Sequence, residues 1–152
     1  MFAAWALATG SAAAAEGPSD YSSALGRVYW GYHQVLVQKE VCDASVPAAR
    51  AANDRAFAAW QQRHRALAQE LQQRVTAMIR NASRDQSDYV RNLGKYEGAI
   101  LQERQEYRES LLKLGSDELR AQCQAMARVL GGAEADLAKV YAAELEVIRR
   151  RK

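Results

Sequence analysis

The sequence predicts an all-α protein, an up-down-up-down four-helix bundle, and three observations carry that prediction. Apolar residues recur at steps of three and four along four separate stretches. The nine Gly and two Pro among 152 residues make roughly 7% helix breakers, where about 12% is usual. Ala, the best helix former, fills 30 positions. A chain that is 49% hydrophobic and 26% charged at this length supports one core and is short for two. The scarcity of breakers excludes collagen-like, linker-rich and most β-sandwich architectures.

The first helix shows Leu25, Val28, Tyr29, Tyr32, Val35 and Leu36 at helical spacing and fails near Cys42. Asp43 to Pro47 is a connector, because Pro lacks an amide proton and disfavours helix in the residue before it. The second helix opens with Pro near its first turn and carries the stripe Phe57, Trp60, His64, Leu67, Leu71, Val75 and Met78. About 30 residues long, it should span about 45 Å. Ser83 and Gln86 have capping-box spacing and are expected to open the third helix. That helix shows Tyr89, Leu93, Tyr96, Ile100, Tyr107, Leu111 and Leu114, with Arg104 where an apolar residue was due, and is expected to stop at a left-handed Gly115. Ser116 caps the fourth helix, with Asp117 and Glu118 favoured by the dipole of its first turn. Its stripe runs from Leu119 through Cys123, Met126, Leu130, Ala133, Leu137, Val140 and Leu145 to Ile148. The register keeps phase through Gly131 and Gly132, so one helix kinked at that pair is expected rather than two.

Residues 1–15 hold no charged side chain, and Ala13 and Ala15 satisfy the small-x-small rule before Glu16. That pattern predicts a signal peptide over 1–15 and a single helical domain over 16–152. The protein is then expected to be periplasmic, with no membrane insertion after cleavage. Cys42 and Cys123 are the only cysteines, and an even count in an oxidising compartment favours a disulfide. The alternative is two buried free thiols. In an alternating bundle the end of the first helix and the start of the fourth fall at the same end, which a disulfide requires.

No chemistry-bearing motif stands out. There is no GxSxG, HExxH or Gly-rich phosphate loop, so a non-enzyme is expected. His33 and His64 lie on different helices and neither pairs at metal-ligand spacing, so no metal or other cofactor is expected. The net charge of +3 comes mostly from Arg149 to Lys152, and basic residues elsewhere alternate with acids, which argues against nucleic acid as a partner. The one excess is Tyr29, Trp30, Tyr32 and His33, four rings in five positions. At 100° per residue they cannot face one core. Tyr29 and Tyr32 share the apolar stripe, which leaves Trp30 and His33 as candidate partner-binding residues. The alternative is that Trp30 packs against a neighbouring helix or a second subunit, as in a homodimer.

The segment Val41-Cys42-Asp43, followed by Pro47, Asn53, Phe57, Trp60 and then Cys123, resembles small exported helical proteins of proteobacteria. Most of that group have no assigned function. Some similar two-cysteine proteins are immunity proteins that bind and inhibit secretion-system toxins, often as homodimers. The resemblance covers Cys42 to Cys123, carries no catalytic motif, and implies a protein that acts by binding another protein. The readings from other classes are a periplasmic ligand- or metal-binding bundle and an envelope chaperone.

Overall fold

The computed structural model describes residues 20–151, and the signal-peptide expectation over 1–15 lies outside them. Among the described residues the chain is all-α, with six α-helices rather than four and no strand. They are α1 (Tyr21–Ser45), α2 (Arg50–Asn81), α3 (Gln86–Leu112), α4 (Ser116–Gly131), α5 (Leu137–Val140) and α6 (Ala142–Arg150). Single 3-10 turns at Pro47–Ala49 and Ala133–Ala135 join α1 to α2 and α4 to α5.

Asp20 opens α1 by accepting from the Ser23 amide at 2.7 Å. Asp85 opens α3 in the same way, accepting from the Asp88 amide at 2.8 Å. The expected Ser83 cap is not used. The Ser83 hydroxyl instead donates back to the Ile79 carbonyl at 2.6 Å, because the chain is still closing α2 there. Gly115 is not a left-handed stop either. Its φ of −60° and ψ of 149° make it an extended residue before α4, and α3 ends at Leu112.

The expected fourth helix is broken rather than kinked. Two consecutive glycines carry the largest backbone entropy loss on folding, and Gly132 turns extended, with ψ 176°. Asp136 then restarts the helix by accepting from the Ala138 amide. Side chains of α2 take up the main-chain groups freed by the break. The Trp60 indole donates to the Ala135 carbonyl at 2.7 Å, Arg63 donates to the Leu130 carbonyl at 2.6 Å, and the Leu137 amide donates to His64 Nε2 at 3.2 Å.

Paired contacts fix the helix directions. Lys39 meets Asp54 and Tyr32 stacks on Trp60, so α1 and α2 oppose each other. Tyr29 meets Tyr96 while Glu40 meets Arg104 and Arg108, so α1 and α3 run together. Asn53 donates to the Cys123 carbonyl and Arg63 to that of Leu130, so α2 and α4 run together. Arg27 pairs with Glu144, and the Tyr141 ring lies where a side chain at Gly31 would stand, so the last segment returns along α1. Cys42 and Cys123 are bonded, with Cα atoms 5.2 Å apart.

The core gathers Leu25 and Val28 from α1, Trp60 and Leu71 from α2, Met126 from α4, and Leu145 and Ile148 from α6. A smaller cluster holds Val37, Val41 and Leu111. Lys39 is 7% exposed and lies between Asp43 at 2.5 Å and Asp54 at 2.6 Å, so its charge is answered twice. α3 is the exception among the long helices. Only Asp88 and Leu111 of its 27 residues are buried.

Candidate functional site

Helix α1 runs through the middle of the fold, with neighbours on several sides, and its ring-rich segment is divided among them. Tyr32 stacks on Trp60 of α2 with centroids 5.4 Å apart. Tyr29 meets Tyr96 of α3 at 6.3 Å, and Trp30 stands edge-on to Tyr107 of α3 at 6.0 Å. His33 is clasped edge-on by Tyr29 at 4.6 Å and by Tyr32 at 6.1 Å. Consecutive residues project 100° apart, so a helix surrounded by other helices can use rings on nearly every side.

Trp30 and His33 therefore do not form one patch. They open onto two grooves on either side of the seam between α1 and α3, with Tyr96 and Ile100 lining both. The Trp30 groove, about 290 Å³, is walled by Gly26, Arg27, Ala99 and Glu103. Gly26 keeps it open, since nothing lies within 4 Å of where its side chain would begin. The half-buried Trp30 ring forms the groove's apolar wall, with Arg27 and Glu103 as charges at its rim.

The second groove, about 300 Å³, lies between α1, α2 and α3 and brings together Tyr29, His33, Gln72, Thr76, Tyr96 and Arg104. Both ring nitrogens of His33 are shut off from solvent with no hydrogen-bond partner. Burial pushes its pKa down to about 4, and the Arg104 guanidinium adds to the effect. The imidazole is thus neutral at neutral pH. Burial pushes the Tyr96 phenol up to about 12, helped by the neighbouring Tyr29 and Glu103, and raises that of Tyr29. Arg104 is held by Glu40 at 2.7 Å. This set of neutral rings, amide, hydroxyl and one anchored guanidinium can hydrogen-bond and stack. Among the described residues, no group of three or more His, Cys, Asp or Glu side chains could hold a metal ion.

His64, the other histidine, serves the fold, with its Nδ1 2.9 Å from the Trp60 carbonyl. Arg104 and Gln72 are groove residues that periodicity alone does not single out, while Tyr96 belongs to the α3 stripe, where it reads as a core ring. The one sequence signal among them is Arg104, the charge that interrupts the apolar stripe of α3. No family model, curated protein or solved structure matches the chain.

Proposed function

We propose that this is a non-catalytic, exported protein that works in the periplasm by binding another protein. In its most concrete form it is an inhibitor or immunity factor for an envelope-targeted toxin. The observation that carries the reading is Trp30, a large ring held half-exposed over an open groove with a charge of each sign at its rim. Trp is the side chain most enriched where truncation abolishes binding. Its edge-on seat against Tyr107 orients the ring before a partner arrives, which lowers the ordering cost of association. The disulfide between Cys42 and Cys123 is consistent with export. We read the scaffold as an up-down-up-down bundle whose fourth member is α4, α5 and α6 in succession.

The test compares the parent with Trp30→Ala in affinity capture from periplasmic extract, followed by binding and activity assays on the captured protein. The parent should retain one partner, reduce its activity, and lose at least about 2 kcal/mol of binding on truncation. Helical signal and melting temperature should stay close to the parent's. Equal capture by both proteins, or a partner whose activity is untouched, counts against the reading.

A second reading has its own support. The groove of His33, with two enclosed and unpartnered ring nitrogens, fits a small-ligand site of a periplasmic binding bundle. A small molecule recovered with the purified protein and lost in a His33 variant would favour it.

A further inference from the structure

The groove of His33 carries a charge of each sign, and neither is fully answered within the chain. Glu97 and Arg104 both line it and lie seven residues apart on α3. Seven residues make two turns with about 20° of drift, so the two share a face, about 10 Å apart along the helix. Glu97 is exposed and has no ion-pair partner among the described residues. Arg104 has only a share of one. Its guanidinium and that of Arg108 take one oxygen each of the same Glu40 carboxylate, and neither has a second acid among the described residues. Two cations against one carboxylate leave a positive charge in excess at that end of the groove.

The rings of α1 register the same two poles. Burial, then Tyr32 and Glu97, push the Tyr29 phenol up, whereas burial and then Arg104 push the His33 imidazole down to about 4. Tyr29 and His33 are one turn apart, so along α1 the poles stand about 6 Å apart. Between them the α3 wall is apolar, through Leu93, Ile100 and Leu101. Leu101 is 65% exposed, a large apolar side chain that the core does not use. On the other wall Gln72 and Thr76 stand one turn apart on α2. A Gln amide donates and accepts at once and a Thr hydroxyl does either, which suits them to a main-chain amide.

We propose that this groove binds a free peptide of two or three residues with an apolar side chain, its ammonium at Glu97 and its carboxylate at Arg104. The assignment rests on the small-ligand reading of the same groove. Charge and length select the occupant. A simple anion is opposed by the unpaired Glu97, and a simple amine by the excess positive charge beside Arg104. A free α-amino acid carries both charges, but on neighbouring carbons, too close together to reach both poles. An extended chain covers about 3.3 to 3.6 Å per residue, so two or three residues span the roughly 6 to 10 Å between them. The groove, about 300 Å³, lies at the lower end of the sizes that ligand pockets take, which suits a ligand this short.

Isothermal titration calorimetry on the full, oxidised chain tests this with Ala-Leu-Ala, Ala-Leu and Leu-Ala. At least one of these free-ended peptides should bind, and its N-acetylated and C-amidated forms should each bind roughly threefold to tenfold more weakly. Glu97→Gln should weaken the free peptide by a similar factor yet leave the acetylated form as it was. Arg104→Gln should do the same with the amidated form, since either change alone already removes the interaction. Glu40 keeps Arg108 in that variant, and melting curves report whether each variant keeps its fold. Blocked forms that bind as the free peptide does, or variants that weaken free and blocked forms alike, overturn the proposal. So does the failure of all three peptides to bind. In that event a different small molecule recovered with the purified protein and lost in a His33 variant would leave the small-ligand reading standing without the peptide, and recovery of none would remove both.

Discussion

Each of the chain's two histidines sits against aromatic rings, yet only one has its nitrogens satisfied. The Leu137 amide donates to Nε2 of His64, so that nitrogen carries no proton, and Nδ1–H donates to the Trp60 carbonyl. Those two bonds fix the orientation of the ring. His33 has no such partners, and the groups around it are the Tyr29, Tyr32 and Tyr96 rings, Arg104, Glu97, Gln72 and Thr76. Its folded pKa of about 4 lies below the ordinary 6.5, so as pH falls through that window the unfolded chain takes up the proton first. Folding stability from this group is fully present above the ordinary value and is lost progressively down to about pH 4. His33→Phe should remove that limb of the stability profile. At neutral pH it should cost little, since an apolar ring replaces polar atoms that had no partner. Urea midpoints of parent and variant, measured across the window, should converge toward neutrality and separate in acid. Parallel profiles would show that His33 is not the group responsible.

At the scale of the helices, the decisive contacts join α2 to the broken segment after Gly131. Trp60 is fully buried, stacks with Phe57 and Tyr32, and holds the Ala135 carbonyl through its indole N–H. Trp60→Ala should therefore cost about 3 to 5 kcal/mol by chemical denaturation. Loss of amide protection in α5 and α6 should precede loss in α1. A variant as stable as the parent would mean that the break docks by other means.

The α2 stripe was legible in the sequence because one face of a long helix carries its whole burial, although Ile79, not Met78, completes it. The break was not. Leu130, Leu137, Leu145 and Ile148 reach the core as the expected stripe has them, whereas Ala133 and Val140 of the same stripe are exposed and Ala135 is buried instead, a change of backbone path that only the Gly pair announces. Neither was the division of rings on α1, whose second half buries Val37, Val41 and Cys42 instead of Val35 and Leu36. A helix with neighbours on several sides has no single stripe to read. The grooves are a level further removed, since the residues lining them come from three helices whose packing the periodicity does not specify.

At the scale of the whole molecule, the disulfide encloses the larger part of the fold. The bond between Cys42 and Cys123 spans 81 residues and so encircles all of α2 and α3. Closing a loop of that length removes about 4 to 5 kcal/mol of unfolded-state entropy in the chain-entropy account. Native proteins recover part of that figure, so Cys42→Ser should lose about 2 to 4 kcal/mol. For a chain of this size that lowers the melting temperature by roughly 5 to 15 °C. The native arrangement should survive the loss, because the junction has a second fastening. Asn53, 1% exposed, donates to the Cys123 carbonyl at 3.0 Å and ties α4 to α2 without the sulfur bridge. The helical signal at room temperature should accordingly match the parent's while the unfolding transition moves. The double variant C42S/C123S separates the lost constraint from the stray thiol that the single variant leaves, and the two should melt together. A double variant that melts with the parent would show that the enclosed loop is already restrained in the unfolded chain, so that the bond adds nothing to the stability of the fold.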